Sequence, residues 1–460
     1  WLADMPIWIL PAVYWISVMG SEMQIGYRHL LPMLPFIYVA VGRAASRVVG
    51  GRWHPRRWIA LGGALWYVTG TLSVYPYPIA YFNELVGGAS NGYQHVVDSN
   101  VDWGHSFKSL ATYMGEEGIS EVKLSYYTWV DPSLYGVAYE ALPPAPNTED
   151  KSFPFFAPPP GVYAISATTL QGILLRNPDL YEWFRHQDPI AQPGYGINIY
   201  RVLAPDVVPA WIAQCTAPAT PLSPEVIQAG FGSSVQRISY FDCTQAWLYP
   251  GGSQTSGWFV LHGNILEADD DWINTRLSSS RLSYRQELPG VLPPFSIYEW
   301  QPTSDLEVET TVNVPEHSEA VDGFREVTAP VSFQGPLALL GYRVVMTEKQ
   351  DIELHTWWQV LEAPERPFSL IGHVVDASGQ AVLVADGLGI PFTELQAGDQ
   401  FVQRHQFTFS DLGGWPDAPV WLQTGAYWLD SMERWPVMIE DNSVGDRVIL
   451  TEIEPQATDK

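Results

Sequence analysis

The 460-residue sequence predicts a multidomain chain: three transmembrane α-helices, then tandem α/β units, then an antiparallel β-sandwich. Three observations lead there. Before Tyr75 almost every residue is apolar, aromatic, small or arginine, whereas the chain beyond it is acidic and mixed in polarity. Between 79 and about 300, helical and strand-like patterns alternate. From about 301 the hydrophobic pattern changes to period two.

The apolar segment, 1–78, contains three runs at about 2–19, 25–41 and 58–75. Each is near the ~17–25 residues that cross hydrocarbon as a helix. Pro11, Pro32 and Pro35 are compatible with this where neighbouring helices satisfy the freed carbonyls. Arg43, Arg47, Arg52, Arg56 and Arg57 crowd the loop between the second and third runs, while Glu22 is the charge in the earlier loop. The positive-inside rule therefore puts 43–57 in the cytoplasm and everything after about 76 outside, in an integral membrane protein. The chain opens on Trp1 in an apolar run with no charged leader, which reads as the C-terminal part of a longer polytopic protein.

Residues 81–460 hold 48 of the 50 acids and 18 of the 24 lysines and arginines. That acidic excess repels phosphate backbones and excludes nucleic acid as a partner; it also serves solubility. The two cysteines, Cys215 and Cys243, both fall in this part. In an exported domain they are a disulfide candidate, with unpaired core residues as the alternative. No paired-cysteine or HExxH metal spacing occurs, and neither does a GxSxG turn or a phosphate loop. No cofactor is expected, and a divalent metal stays open.

Within 79–203, Asp102-Trp103-Gly104 leads into an amphipathic helix carrying Phe107, Leu110, Ala111 and Met114, which stops at Gly118 before a strand at 122–127. After a Pro-rich stretch at 143–160 come a strand at 162–166, helices around 170–175 and 181–185, and a strand at 197–202. This is the alternation of a small α/β layer structure. Residues 204–300 read as a related copy. Val235-Gln-Arg-Ile-Ser-Tyr-Phe parallels Glu121-Val-Lys-Leu-Ser-Tyr-Tyr, Gly257-Trp-Phe-Val-Leu parallels Gly161-Val-Tyr-Ala-Ile, and Ile297-Tyr-Glu-Trp parallels Ile199-Tyr-Arg-Val. In 301–460, Ile352, Leu354, Thr356, Trp358 and Val360 share one strand face, with Glu353, His355, Trp357 and Gln359 on the other. Asp376-Ala-Ser-Gly reads as a hairpin turn, and further strands fall at 403–409, 420–428 and 447–453. The pattern is that of a jelly-roll or carbohydrate-binding-like sandwich.

Four stretches carry a family resemblance: Ile25-Gly-Tyr-Arg-His-Leu-Leu-Pro-Met-Leu-Pro-Phe, Ala80-Tyr-Phe-Asn-Glu-Leu-Val-Gly-Gly, Asp98-Ser-Asn-Val-Asp-Trp-Gly and Gly161-Val-Tyr-Ala-Ile-Ser-Ala. The chain resembles the C-terminal part of bacterial family 39-type glycosyltransferases, the protein mannosyltransferase and aminoarabinose-transferase relatives of GT-C type, most strongly over 25–104. His105 departs from that pattern, which has glutamine there. The resemblance implies a membrane glycosyltransferase that moves a sugar from a polyprenyl-phosphate donor to a glycan or protein acceptor at the extracytoplasmic face, in contact with membrane lipid. It places the catalytic carboxylate in a first outer loop upstream of residue 1, so the catalytic residue is unknown here. The alternative is a non-enzymatic, membrane-anchored surface protein whose sandwich binds glycans or proteins.

Several residues are candidates for such a site. Arg28 and His29, at the outer end of the second run, are placed to clamp a donor phosphate, a bidentate task that suits arginine; simple snorkelling is the alternative for Arg28. Asp98, Asn100 and Asp102 alternate like calcium ligands, but Trp103 and Ser109 stand where an EF-hand needs glycine and glutamate. Asp102 is either the N-cap of the following helix or, with Asp98, Asn100, Asn83 and Glu84, part of a rim that contacts acceptor or sugar hydroxyls. Trp357, between His355 and Gln359, is a possible glycan-stacking residue; as one of 20 tryptophans it has core packing as its plainer role.

Overall fold

A computed structural model describes residues 5–20, 31–49, 55–97, 101–126, 128–145, 153–204, 209–232, 236–267, 270–286, 292–302, 308–315, 324–347, 351–409, 415–416, 418–440 and 442–454. The chain forms two compact units, 1–204 and 205–460.

The N-terminal segment forms α1 (Met5–Met19), α2 (Leu34–Val49) and α3 (Pro55–Ser73). These correct the expectation of three transmembrane helices, because no described helix is long and apolar enough to cross a membrane. At ~1.5 Å per residue, the 15 residues of α1 and 16 of α2 fall short of a ~30 Å hydrocarbon layer. α2 begins later than the apolar run and continues through Arg43 to Val49, so the basic stretch is in part helix. Alanine and arginine are strong helix formers, and they carry it past the end of the apolar pattern. α3 has 19 residues, but Pro55-Arg56-Arg57 opens it and Gly62, Gly63, Thr69, Gly70, Thr71 and Ser73 dilute its apolar character. All three helices nonetheless expose large apolar side chains, among them Leu10, Ile16, Tyr38, Ile59, Leu65 and Leu72.

The same unit contains a four-stranded sheet. α4 (Phe107–Glu116) precedes β1 (Val122–Ser125), β2 (Tyr139–Ala141) and β3 (Gly161–Ser166); α5 (Ala167–Leu170) and α6 (Glu182–Arg185) then lead to β4 (Ile197–Val202). The order is β2-β1-β3-β4, with β1 parallel to both neighbours and β4 antiparallel to β3. Phe107, Leu110 and Met114, at helical spacing on α4, are buried with Leu124, Ala164 and Ile199 of the sheet.

The second unit opens with β5 (Trp211–Cys215), α7 (Pro224–Phe231), β6 (Arg237–Phe241), β7 (Ala246–Tyr249) and β8 (Gly257–His262). α8 (Gly263–Glu267), α9 (Asp271–Leu277), β9 (Ser280–Gln286) and β10 (Phe295–Trp300) complete it. Its sheet, β6-β5-β8-β10-β9, repeats the parallel, parallel, antiparallel sequence of the first and adds β9 at the antiparallel edge. The register repeats too. Gly161 faces Val202 and Ala164 faces Ile199; correspondingly Gly257 faces Trp300 and Val260 faces Ile297. Two of the three sequence parallels thus occupy equal places. The third does not, because the topological counterpart of β1 is β5, whereas 237–241 forms β6. Buried parallel strands all read as similar apolar runs, so a short motif cannot tell one from its neighbour.

The remaining strands are β11 (Thr311–Pro315), β12 (Phe324–Thr328), β13 (Val331–Phe333), β14 (Leu337–Met346), β15 (Ile352–Val360), β16 (Phe368–Val375), β17 (Ala381–Val384), β18 (Gln400–Phe407), β19 (Val420–Trp428), β20 (Val437–Ile439), β21 (Asn442–Gly445) and β22 (Val448–Ile453). They form two antiparallel sheets, β12-β11-β22-β19-β16-β17 and β21-β20-β13-β14-β15-β18-β7. The last member of the second sheet comes from the α/β segment: Ala246–Tyr249 pairs with Gln400–Gln403 of β18. Residue 300 is therefore not a break in packing, and one hydrophobic core runs from Trp211 to Leu450. The four residues Ala-Trp-Leu-Tyr of β7 are all buried and belong to that core.

Candidate functional site

The expected rim residues divide. Arg28, His29, Asp98 and Asn100 lie outside the described residues. Asn83 and Glu84 are exposed on a short turn that follows α3. The Asn83 side-chain oxygen accepts from the Leu85 amide at 3.0 Å and caps that turn. The Trp66 indole of α3 donates to the Glu84 carboxylate at 2.8 Å, so the apolar helix is tied to the polar turn.

Asp102 does neither of the things the sequence suggests. Ser106, not Asp102, is the N-cap residue of α4, and Asp102 is buried at 2% exposure, which withdraws it from a solvent-facing rim. Its carboxylate accepts from the Gly104 amide at 2.9 Å and from the Ser166 hydroxyl at 2.5 Å. The loop before α4 is thereby fixed to the C-terminal end of β3. Gly196 permits this approach, since a β-carbon there would come within 2.6 Å of the Ser106 hydroxyl.

A second loop, after β1, lies against the first. Gly104 has a positive φ of 76°, and a β-carbon on it would meet the Thr128 methyl at 2.9 Å. Asp131 closes this second loop by accepting from the Ser133 amide at 2.9 Å and from the Tyr139 hydroxyl at 3.4 Å. The Ser133 hydrogen bonds hold the Asp131 carboxyl below its usual range. Tyr135 of the same loop packs on Phe107 of α4, with ring centres 6.0 Å apart. Trp103 and Trp129, the chain neighbours of Gly104 and Thr128, are exposed, Trp129 completely so at 104%. Both loops stand at the C-terminal ends of parallel strands, where open α/β sheets bind ligands. In the sequence nothing sets Trp129 apart from the other tryptophans of the chain. The Asp131-Pro132 turn close after it is the signal that it lies in a loop.

Trp357 is excluded as a glycan platform. It is 4% exposed, and the Arg276 guanidinium of α9 lies 4.7 Å from its ring centre. Glu353 and His355, on the same expected polar face of β15, are buried with it, while Gln359 is half-buried. The Trp272 ring sits 4.6 Å from that of His355, and Arg404 of β18 bridges Asp270 at 2.9 Å and Glu353 at 2.9 Å. Burial favours the protonated Glu353 carboxyl, yet hydrogen bonds from His355, Arg404 and Gln406 overcome it and hold the pKa at about 2. Burial pushes the His355 imidazole below its usual value, and the Arg276 and Arg404 charges assist against the pull of Glu353. These eight interacting groups come from three separated stretches, so no local motif announces them.

Cys215 and Cys243 form a disulfide, with sulfurs 2.06 Å apart, at the buried C-terminal end of β5. Among the described residues, no group of three His, Cys, Asp or Glu side chains is placed to hold a metal ion. No family model, curated protein or solved structure matches the chain.

Proposed function

We propose that the chain is the C-terminal portion of a glycosyltransferase that moves a sugar from a polyprenyl-phosphate donor to an acceptor at the extracytoplasmic face. The observation that carries this reading is the Trp66–Glu84 hydrogen bond. A polyprenyl phosphate joins a long apolar tail to a polar head. Residues 1–204 join helices with exposed apolar side chains, which suit the tail, directly to an exposed polar turn. Contiguous exposed apolar surface marks a site of interaction with lipid, ligand or protein. The disulfide suits an oxidising compartment outside the cytoplasm. The rival reading, a surface protein whose sandwich binds glycans, loses its candidate platform with the burial of Trp357.

The test uses the protein in detergent micelles with radiolabelled polyprenyl phosphate, the part of the donor common to every sugar. Saturable retention is expected, displaced by unlabelled polyprenyl phosphate and not by phosphatidic acid at the same concentration. Arg28→Ala is expected to weaken retention about tenfold or more, the loss of a charge-assisted phosphate contact. Absence of retention, or equal displacement by phosphatidic acid, overturns the reading.

A further inference from the structure

We infer that Arg276 and Arg343 form a binding site for a small oxyanion, a phosphate or carboxylate group, beside the face of β15. The inference stands apart from the donor reading, since both residues belong to the second unit.

Three observations support it. The first is placement. Arg343 of β14 faces His355 of β15, which in turn faces Arg404 of β18, so the three side chains rise from one face of the sheet. Gly341 faces Trp357, which makes Arg343 the diagonal neighbour of that indole. α9 lies on the same face, with Trp272 against His355 and the Arg276 guanidinium over Trp357.

The second is unmet hydrogen bonding. The contacts of Arg276 with Trp272 and Trp357 are made over the rings, which offer a π face and no lone pair. The Arg276 Nε and the Trp357 indole nitrogen are both buried without a hydrogen-bond partner. A buried donor in that state costs about 1–3 kcal/mol. An oxyanion on the guanidinium edge supplies the missing acceptor, in the bidentate geometry that arginine favours.

The third is charge. Arg404 pairs with Asp270 and Glu353, whereas among the described residues neither Arg276 nor Arg343 has a carboxylate partner. Burial lowers the Arg276 pKa, Tyr249 opposes this, and the Arg343 charge lowers it further. The chain holds 50 acids against 24 lysines and arginines, so scarcity of carboxylates does not explain the bare pair. Arg343 is exposed and Arg276 half-buried, which leaves the pair open to a ligand from solvent.

The experiment titrates the full chain in detergent with inorganic phosphate and with acetate, each exchanged against chloride at constant ionic strength. It follows heat and the Arg276 Nε–H resonance, assigned by its loss in Arg276→Lys. At least one of the two anions is expected to bind and to shift that resonance. Arg343→Ala should weaken the binding about tenfold or more and Arg343→Lys severalfold. Arg325→Ala, at an exposed arginine of β12, should bind as the parent does. Because Arg343 is exposed, its variants should keep the parent's urea midpoint, which separates lost binding from lost fold. Tighter phosphate assigns a phosphorylated ligand, and tighter acetate a carboxylated one. The inference fails if neither anion binds, if the Arg276 resonance does not move, or if Arg343→Ala binds as the parent does. It also fails if Arg325→Ala weakens binding equally, the mark of a general attraction of anions to surface cations. Polyprenyl phosphate retention should be the same in the parent and in Arg343→Ala, so the two readings stand or fall separately.

Discussion

The guanidinium carbon of Arg276 lies 4.7 Å from the ring centre of Trp357 and 4.5 Å from that of Trp272, so one cation closes the faces of two indoles. Strand alternation correctly separates Trp357 from the core-facing Leu354 and Trp358, but alternation says nothing about what covers the second face. Here α9 covers it, and β15 is buried on both faces from Glu353 to Trp357.

Removing that cover is expected to cost stability without creating a sugar site. Arg276→Ala loses a largely desolvated cation–π contact and the packing of the arginine stem, together about 2 kcal/mol. Urea unfolding checks this, with Arg276→Lys expected to fall between parent and alanine. If Arg276→Ala leaves the midpoint unchanged, α9 does not hold the face of β15 in solution.

Acid should weaken the second unit in two stages. Burial drives the His405 imidazole down to about 4, although the Ala385 carbonyl and Asp386 pull the other way. A histidine whose folded pKa lies below its unfolded value binds its proton more readily in the unfolded chain. Its contribution is therefore full above about pH 6.5 and is lost as pH falls toward 4, on the order of 3 kcal/mol in all. Glu353, held at about 2, adds a second loss between its unfolded value and that pH. Urea midpoints measured from pH 7.5 to 3.5 should fall steadily below pH 6.5, and His405→Gln should flatten the upper part of that fall.

The disulfide occupies a place that the first α/β sheet secures by other means. Ser125, the counterpart of Cys215 by register, has its hydroxyl oxygen 2.7 Å from the Pro143 carbonyl and 2.9 Å from the Thr169 hydroxyl, within hydrogen-bond reach of both. Both cross-links tie the end of the central parallel strand to the segment that follows its neighbour. Replacing Cys215 and Cys243 with alanine together is expected to cost about 3 kcal/mol, because the bond closes a 28-residue separation in the unfolded chain. Reductant should lower the urea midpoint of the parent by a similar amount and leave the double variant unmoved.

Legibility followed the range of the interactions. Ile197–Val202 and Val420–Trp428 were readable to the residue, because each strand carries its own pattern and is bounded by turn-forming residues. The apolar N-terminal stretch misled because hydropathy marks where a helix would be content in lipid, not where helix hydrogen bonding begins and ends. α2 starts only at Leu34 and continues through the arginines. The boundary at 300 misled because β7 joins a sheet whose other strands lie at least 80 residues further on, a pairing with no local signature. The rim was legible in composition but not in role. Asn83, Glu84 and Asp102 stand out in the sequence as polar residues beyond the apolar stretch, yet only their partners show that one caps a turn, one receives Trp66 and one is buried.

That last residue carries the final expectation. With one carboxylate oxygen on the Gly104 amide and the other on the Ser166 hydroxyl, Asp102 has a load that alanine cannot take up. Asp102→Ala leaves a buried amide and a buried hydroxyl without their acceptor, a cost of about 1–3 kcal/mol. The loss should appear locally as faster hydrogen exchange at Gly104 and globally as a lower urea midpoint. Ser166→Ala alone should lose less. Added to Asp102→Ala it should change little, because the two share one interaction and their effects do not sum. Were Asp102→Ala instead to keep both the midpoint and the Gly104 exchange rate, the carboxylate would be free of the loop, and a direct role toward the acceptor would return to it.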